Sequence, residues 1–427
     1  MNADQFRILF VHYTAPPVIG GVEMIIDQQI RLFSATGYPT AIVAGRVGQS
    51  DRSRSSETIL VPEIDSEYSE NLALRAALDQ GKVPEGFLAL QSKIEKELRR
   101  IITPTDALIA HNVMTTHFNL ALTAAIHHLV DEGVIRRLIV WCHDISRYVN
   151  PASGEVQRFG FPWDLLRTYR SDVTYVAISS QSQRVLANVL KCSPDRIQII
   201  PNGIEPSLLL GLSELGEHFI DEFGLLSVDL IMLMPIRITR AKNIEFSFKV
   251  AAALKRAGIR LRLIITGPPD PHVPDIKEYY TDLRNLQYTL SLRKEVIFIF
   301  EGTSKYPSPL TLEPAGVAEL YRLCDLVLTP SHREGFSLPV LEAGLADKVI
   351  FSTVVPAVTD LGQEFEYLIE KDESPESVAD RIREWMETDA AHRLRQRVRK
   401  KFTWSSIFAH DIQPLIAKVV SAKDKAS

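Results

Sequence analysis

Cysteine is scarce in this sequence of 427 residues. Cys142, Cys192 and Cys324 are widely separated, and no Cys-x-x-Cys pair occurs. An odd, scattered set argues against a disulfide framework and against a cysteine zinc site. Free thiols suit a reducing compartment, so we expect a cytoplasmic protein.

Long hydrophobic runs are also lacking. The longest are short, such as VIFIF at 296–300, whereas a membrane-spanning helix needs about 18 apolar residues. The first residues, MNADQFRILFVHYT, contain no basic segment followed by a long apolar one. We therefore predict neither a transmembrane helix nor a signal peptide, and contact with a membrane surface stays an open possibility.

Charge of one sign is not in large excess. Lys and Arg number 48 against 53 Asp and Glu, which gives a net charge of −5. This balance disfavours a nucleic-acid partner. The motif Asp-x-Asp, which could hold a divalent metal on a diphosphate, does not occur either. We therefore expect no metal and no other cofactor.

Short β-branched runs alternate with helical patterns along most of the chain. Such repeated βα units predict parallel sheets covered by helices on both faces. The pattern pauses after PNGI at 201–204 and restarts at DLIMLM, 229–234. The sequence thus predicts two doubly wound α/β domains, residues 1–205 and 206–403, with a last helix at 404–421 that packs back on the first. In such sheets, ligands bind beyond the carboxyl ends of the strands, so two facing domains would share a cleft.

The predicted first domain carries polar or glycine motifs just after its strands. In IGGVE (19–23), Gly20 and Gly21 open a helix whose N-terminus could attract a phosphate, and a tight turn alone is the alternative. In WCHD (141–144), His143 is a candidate for hydrogen bonding to a polar substrate, the alternative being a structural strand-end histidine. His111 and Asn112 after ALIA leave the same two possibilities.

In the predicted second domain, the loop RITRAKN (237–243) follows DLIMLM and contains Arg237, Arg240 and Lys242. Clustered cations at a strand's carboxyl end suit a diphosphate, and a solvated charge run is the alternative. The segment TGPPDPHVPDIKEYY (266–280) is longer and richer in proline than a plain strand-to-helix turn. It either shapes a ligand pocket or forms a surface loop.

The stretch SHREGFSLPVLEAG (331–344) places Glu334 in a loop after the strand DLVLTPS. The amides of Gly335, Phe336, Ser337 and Leu338 then open a helix and are free to meet a ligand oxygen. Glu342 shares a helix face with Leu338 and Leu345, where a carboxylate needs hydrogen-bond donors such as a sugar diol. A solvated Glu342, or one paired with Lys348, is the alternative.

The spacing Glu-x7-Glu in REGFSLPVLEAG closely resembles the signature of the family-four retaining glycosyltransferases. Their architecture, called GT-B, has two Rossmann-like doubly wound domains facing a cleft. The resemblance spans nearly the whole chain in consistent order through IGGVE, WCHD, PNGIE, the Arg237–Lys242 spacing and FTWSSIFAH. It implies a hexosyltransferase that takes a UDP- or GDP-linked sugar and retains its anomeric configuration on an acceptor hydroxyl.

Carried over residue by residue, the resemblance implies that Glu342 holds the donor ribose and Glu334 the donor sugar. It implies that Arg237 and Lys242 bind the diphosphate, without a metal. Pro235-Ile236 stands where the family commonly has a glycine before the arginine, so the phosphate loop is expected to differ in shape.

For the first domain, the resemblance implies that His143 contacts the donor sugar near the reacting carbon. It also implies that the Gly20-Gly21 backbone approaches the phosphate or the acceptor. Two other functions remain open at this point. One is a sugar-nucleotide 2-epimerase of the same architecture, and the other is a non-catalytic partner that only binds a nucleotide sugar.

Overall fold

The computed structural model describes residues 6–18, 20–48, 57–360 and 367–424. Ile19 of the IGGVE motif therefore lies outside the described residues. The chain divides into two compact units, Met1–Gly203 with Trp404–Ser427, and Ile204–Thr403. The sequence placed the first boundary two residues later, at 205/206.

The first unit contains a seven-stranded parallel sheet in the order β3-β2-β1-β4-β5-β6-β7. Its strand order reverses between β1 and β4, which is where ligands bind in doubly wound sheets. The short edge strand β3 was not predicted, because its ETIL sequence is partly exposed and carries little apolar signal. The strands are β1 (Ile8–Ala15), β2 (Thr40–Val47), β3 (Glu57–Leu60), β4 (Ala107–His111), β5 (Leu138–Cys142), β6 (Thr174–Ala177) and β7 (Ile197–Ile199).

The second unit contains a six-stranded parallel sheet in the order β10-β9-β8-β11-β12-β13. Its order reverses between β8 and β11, the two strands that precede the cationic loop and the Glu334 loop. The strands are β8 (Leu230–Met234), β9 (Leu261–Ile265), β10 (Val296–Phe298), β11 (Leu326–Thr329), β12 (Val349–Thr353) and β13 (Leu368–Ile369).

Helices cover both faces of each sheet. They are α1 (Gly21–Ala35), α2 (Ser69–Asp79), α3 (Phe87–Ile101), α4 (Leu120–Asp131), α5 (Ser180–Leu190), α6 (Pro206–Leu210), α7 (Glu214–Glu222), α8 (Ile244–Arg256), α9 (Ile276–Thr289), α10 (Pro314–Leu323), α11 (Leu338–Leu345), α12 (Pro356–Asp360), α13 (Pro375–Thr388), α14 (Ala390–Lys401), α15 (Trp404–Ile407) and α16 (Gln413–Asp424). Within the described ranges, no helix combines the length and the apolar character needed to cross a membrane.

Each sheet is buried on both faces, which explains its nearly continuous apolar strands. In β1, Leu9 and Val11 join one core cluster, whereas Ile8 and Phe10 join the other. This alternation follows from the two-residue period of a strand. The pattern of two parallel, helix-covered sheets confirms the predicted fold class, and the cleft between them stays a prediction.

The segment after Thr403 belongs to the first unit. Trp404, Ile407 and Phe408 are buried in the cluster that covers the Ile8 and Phe10 face of the sheet. The Phe408 ring lies edge-on to Phe33 of α1, with centroids 4.9 Å apart. A π-helical turn, Phe408–Ile412, joins α15 to α16.

Candidate active site

The cationic loop after β8 and the loop after β11 meet at an ion pair. The Lys242 Nζ donates to both carboxylate oxygens of Glu334, at 2.6 and 2.7 Å. The Ser331 hydroxyl donates to the same carboxylate at 2.7 Å, and the Glu334 side chain is only 9% exposed. Two residues separated by 92 positions are thus brought together because both follow central strands of one parallel sheet.

Backbone geometry fixes both partners of this pair. Lys242 ends a short 3-10 turn, and Asn243 then takes a left-handed conformation, with φ of 48°, before α8 begins. The His332 amide donates to the Ala241 carbonyl at 2.8 Å, which ties the two loops together. Thr353 at the end of β12 donates to the Ser331 carbonyl at 2.7 Å.

The N-terminus of α11 lies directly after Glu334. Ser337 precedes the helix with φ of 83° and ψ of 78°, a conformation that costs a non-glycine residue free energy. Its buried hydroxyl has no hydrogen-bond partner in the part of the chain that the structure describes. Within the same described ranges, the amides of Gly335, Phe336 and Ser337 have no acceptor. Three donors and one hydroxyl are therefore available to an oxygen-rich ligand.

Glu342 projects from the next turn of α11. Its carboxylate accepts a hydrogen bond from the Tyr321 hydroxyl at 2.7 Å. The pKa of the Tyr321 phenol is raised, mainly because the side chain is buried and also because it contacts the Glu342 carboxylate. The tyrosine therefore stays protonated and acts as a donor. One oxygen of Glu342 is thereby engaged, and the pairing with Lys348 that the sequence left open is not the contact observed.

The surroundings of Glu342 correct the sequence argument. Leu338 is 60% and Leu345 is 93% exposed, whereas α11 buries Val340 and Ala343. The face shared by Glu342 and the two leucines is therefore a solvent-exposed one. The expectation that Glu342 lies among packed leucines is wrong, because helical periodicity shows which residues share a face and not which face is packed.

Arg237 extends from the same cationic loop. Its guanidinium is 65% exposed and 4.0 Å from the Asp270 carboxylate. The proline-rich segment runs beside this loop, since the Ile238 amide donates to Pro268 at 3.0 Å and Gly267 donates to Ile236 at 3.0 Å. A side chain at position 267 would start only 2.4 Å from the Ile236 carbonyl, so only glycine fits there.

In the first unit, His143 packs against His111. The His143 Nε2 and the His111 Nδ1 are 2.9 Å apart, and the rings are stacked. Burial lowers the pKa of His143 to about 4, so the ring is neutral at pH 7. The other ring nitrogen, Nδ1, is buried without a partner among the described residues. In this state the His143 ring presents no exposed nitrogen to a ligand.

Asn112 organises the loops after β4 and β5. Its side-chain oxygen accepts from the amides of His143 and Asp144, at 2.8 and 3.0 Å, and its Nδ2 donates to the Asp144 carboxylate at 3.0 Å. Asn112 has φ of 61°, a left-handed conformation that asparagine tolerates better than most residues. His111 and Asn112 therefore hold the WCHD loop in place.

Gly20 precedes α1, but that helix terminus already meets a carboxylate. The side chain of Glu23, three positions after Gly20, folds back over the helix terminus. A Cβ atom on Gly20 would lie only 2.1 Å from the Oε2 atom of Glu23. Glu23 accepts a short hydrogen bond from the Thr14 hydroxyl, and its Oε1 is 3.7 Å from the His12 Nε2. A phosphate at Gly20 and Gly21 would have to compete with this negative charge.

Sequence reasoning did not identify His12 and Glu23 as site residues. Glu23 is the last residue of the IGGVE motif, and an acidic residue three positions after a helix cap commonly folds back on the helix N-terminus. His12 gave a weaker signal, a polar residue inside a strand whose other residues are mostly apolar.

The fold and these strand-end residues define a two-domain protein of the Rossmann-like α/β class. A family model described as Glycosyltransferase Family 4 matches residues 19–208. A second, described as Glycosyl transferases group 1, matches residues 219–401. The chain accordingly belongs to the family-four type of glycosyltransferase.

Similar proteins include a D-inositol 3-phosphate glycosyltransferase from Stackebrandtia nassauensis. It is 26% identical over 193 residues, which is 44% of this chain and 40% of that protein. An uncharacterized glycosyltransferase from Methanocaldococcus jannaschii is 25% identical over 257 residues, 57% of this chain and 60% of that protein. The matches therefore span only part of these relatives' lengths.

Among solved structures, a sucrose-phosphate synthase from Thermosynechococcus elongatus is similar over 98% of this chain and 100% of its own. Its sequence identity is 17% and the TM-score is 0.39. This structural similarity is too weak to support any conclusion beyond the fold described above.

Proposed function

We propose that the protein transfers a hexosyl unit from a UDP- or GDP-linked sugar to an acceptor hydroxyl, with retention of anomeric configuration and without a metal. The observation that carries this proposal is the Lys242–Glu334 pair beside the amides at the start of α11, which meet no acceptor within the described ranges. This arrangement combines a cation for a phosphate with acceptors and donors for sugar hydroxyls.

The donor's diphosphate would lie between Lys242 and Arg237. Glu334 holds Lys242 in place before the ligand arrives, whereas the Arg237 guanidinium is 65% exposed and 4.0 Å from the Asp270 carboxylate, so its position is set less firmly. The two positive charges offset the charge that develops on the departing nucleotide. Together with the lack of Asp-x-Asp in the sequence, they support transfer without a metal.

Glu334 and Glu342 would bind hydroxyl groups of the donor. Glu334 would accept from the sugar while it keeps Lys242 in position, and Glu342 would accept from the ribose through the oxygen that Tyr321 leaves free. The exposed apolar side chains of Phe336 and Leu338 flank these carboxylates at the start of α11.

The chemical step proceeds by attack of the acceptor hydroxyl on the face of the sugar from which the nucleotide leaves. The bond from the anomeric carbon to the phosphate oxygen breaks as the bond to the acceptor oxygen forms. The acceptor proton passes to the departing phosphate. This route needs no enzymic nucleophile, and it retains the configuration of the sugar.

The test is incubation with a panel of UDP- and GDP-hexoses, with and without carbohydrate and polyol acceptors, in the presence of EDTA. Proton NMR follows the products. Acceptor-dependent release of the nucleotide with a retained anomer is expected. Conversion of a donor to its 2-epimer without an acceptor would instead establish the epimerase, and binding without turnover would establish the non-catalytic partner.

A further inference from the structure

A groove in the second unit lies between α6 and α14, and none of its lining residues belongs to the candidate active site. Hydrogen bonds fix α6 alongside α14 at both ends. Before α6, the Ile204 amide donates to the Phe402 carbonyl at 2.8 Å. After α6, the Gly211 carbonyl accepts from Arg322 at 3.1 Å, and the Arg395 guanidinium of α14 donates to the Arg322 carbonyl. We call this feature the α6–α14 groove.

The α6–α14 groove contains a cavity of about 140 Å³ with an almost wholly apolar lining. Its walls come from α6 and α14, and its floor comes from β8 and α10. Side chains of all four elements line it, among them Leu209, Leu210, Ile231, Leu323 and Val398. Water finds few hydrogen-bond partners in such a space, and apolar cavities of this size take up small hydrocarbon groups.

Apolar side chains continue from the cavity onto the surface. Leu208 and Leu209 of α6 are 70% and 71% exposed, although Leu209 also lines the cavity. Leu394 of α14 is 62% exposed and precedes a cavity-lining residue, Arg395. A set of exposed leucines that continues into an apolar cavity indicates an interaction site.

The outer face of α14 adds positive charge beside these leucines. Leu394, Arg397 and Lys401 are spaced by three and four residues, so they share one face of the helix, and all three are exposed. His392 and Arg399 are buried on the opposite side. Within the described ranges Arg397 and Lys401 have no ion-pair partner, whereas Arg399 pairs with a buried carboxylate. The helix itself contains no acidic residue.

This combination of charge and apolar surface selects an anionic lipid among the possible partners. A nucleic acid would match the cations, but it offers nothing for the exposed leucines and the dry cavity. A lipid supplies both parts in one molecule, an acyl chain for the cavity and a phosphate diester for the cations. Long basic side chains also reach the headgroup level while their methylene stems stay on apolar surface.

We propose that the α6–α14 groove docks the protein on an anionic lipid bilayer. One acyl chain enters the cavity, Leu208 and Leu209 insert beside it, and Arg397 and Lys401 contact the phosphate headgroups. This docking needs no donor, no acceptor and no turnover. It therefore stands or falls separately from the proposed reaction.

Vesicle flotation tests the electrostatic part. Wild type should bind vesicles of phosphatidylcholine mixed with phosphatidylglycerol and leave pure phosphatidylcholine vesicles largely unbound. The double variant Arg397→Gln/Lys401→Gln should bind the mixed vesicles about twentyfold more weakly, because each cation near an anionic surface contributes about fivefold. Lys249→Gln/Lys277→Gln removes the same charge from exposed positions of the same unit and should bind as wild type.

The leucines have their own variant. Leu208→Ser/Leu209→Ser keeps every charge and should weaken binding to the mixed vesicles about tenfold or more, because two apolar side chains no longer leave water. Leu72→Ser/Leu88→Ser, at exposed positions of the first unit, is the control and should bind as wild type. Equal binding by the two leucine variants would contradict insertion at α6.

Calorimetry with a soluble lipid tests the cavity. Monomeric dihexanoyl phosphatidylglycerol should bind to wild type, whereas its headgroup alone, glycerophosphoglycerol, should not. Val398→Phe and Leu210→Phe fill the cavity from its two walls, and each should lose lipid binding while thermal unfolding stays cooperative. Undiminished lipid binding in both filled variants would overturn the proposal. Binding to poly-glutamate without binding to either kind of vesicle would overturn it too, and would assign the groove to an acidic protein partner.

Discussion

At the scale of single residues, Lys242 and Glu334 are bound to each other in the free protein. A donor diphosphate must share Lys242 with Glu334, so the ion pair sets the position of the cation before binding. Because Glu334 is 9% exposed, removal of Lys242 leaves a nearly buried carboxylate without its main partner. The pair therefore has a structural as well as a proposed functional role.

We predict that Lys242→Ala slows turnover and also lowers the free energy of unfolding by about 1–3 kcal/mol. Urea denaturation and steady-state kinetics measure the two effects. Lys249→Ala, on the exposed face of α8, should change neither. Normal turnover in Lys242→Ala would remove Lys242 from the phosphate site.

Glu342 calls for a conservative substitution. Glu342→Ala would leave the buried Tyr321 hydroxyl without its acceptor, at a cost of about 1–3 kcal/mol, and so would mix stability with binding. Glu342→Gln keeps an acceptor oxygen for Tyr321 and removes only the charge. We expect it to weaken UDP or GDP binding about tenfold in calorimetry with little change in stability. Equal nucleotide affinity in Glu342→Gln and in the exposed control Glu387→Gln would refute the ribose role.

The strand ends allowed the sequence to predict which loops contain polar site residues. The contact of Lys242 with Glu334 could not be predicted, because it depends on the rotamers of two side chains from distant loops. Glu23 and His12 were missed for a similar reason. Their pairing arises from the fold of α1 over the end of β1, which no local pattern specifies.

Glu23 also predicts a pH dependence of stability. Its pKa falls from 4.5 to about 2 on folding, so the carboxylate stabilises the folded state above pH 4.5. This stabilisation is lost as the pH falls from about 5 to about 2. The wild type should exceed Glu23→Gln in unfolding free energy by at most about 3 kcal/mol at pH 7, and the difference should vanish near pH 2.

Denaturant unfolding of both proteins across this pH range tests the prediction. Other carboxylates titrate in both proteins alike, so the difference between the two curves isolates Glu23. A constant difference across the range would show that the carboxylate is not selectively stabilised in the folded state.

At the scale of secondary-structure elements, the start of α11 is the most strained part of the candidate donor site. Ser337 has φ of 83°, where glycine is favoured. We predict that Ser337→Gly raises the free energy of unfolding by about 1 kcal/mol. Lys249→Gly, in the middle of α8 with ordinary helical geometry, should instead lower it by about 1 kcal/mol. A loss of stability in Ser337→Gly would show that its side chain contributes more than the strain costs.

Strands and helices were predicted correctly from the sequence where their residues are fully buried, and less well where they are partly exposed. The strands β1, β4 and β8 are buried throughout, and their apolar runs were all predicted. The edge strand β3 alternates little and is partly exposed, so it gave no such signal. In α11 the helix itself was predicted correctly, but its packed face was not.

At the scale of the whole molecule, the repeated βα pattern and its interruption near residue 203 predicted two α/β units. The chain returns to the first unit after Thr403, and this return has a physical reason in its sequence. Trp404, Ile407 and Phe408 are apolar and fully sheltered against the sheet face that carries Ile8 and Phe10. They complete the apolar cover of that face, to which Ile26, Ile30 and Phe33 of α1 also contribute.

This arrangement predicts a destabilisation confined to one unit. Phe408→Ala removes a ring that packs edge-on to Phe33, with centroids 4.9 Å apart, and leaves a cavity in the first unit's core. The expected cost is about 3–5 kcal/mol for that unit. Hydrogen exchange resolved by residue measures it. The amides of β1 and β4 should exchange faster, whereas those of β8 and β9 should keep their wild-type rates.

Leu88→Ala, at an exposed position of α3, is the control and should leave both sets unchanged. Equal acceleration in β1 and β8 would show instead that the two units unfold as a single cooperative body, and the segment after Thr403 would then stabilise the whole chain.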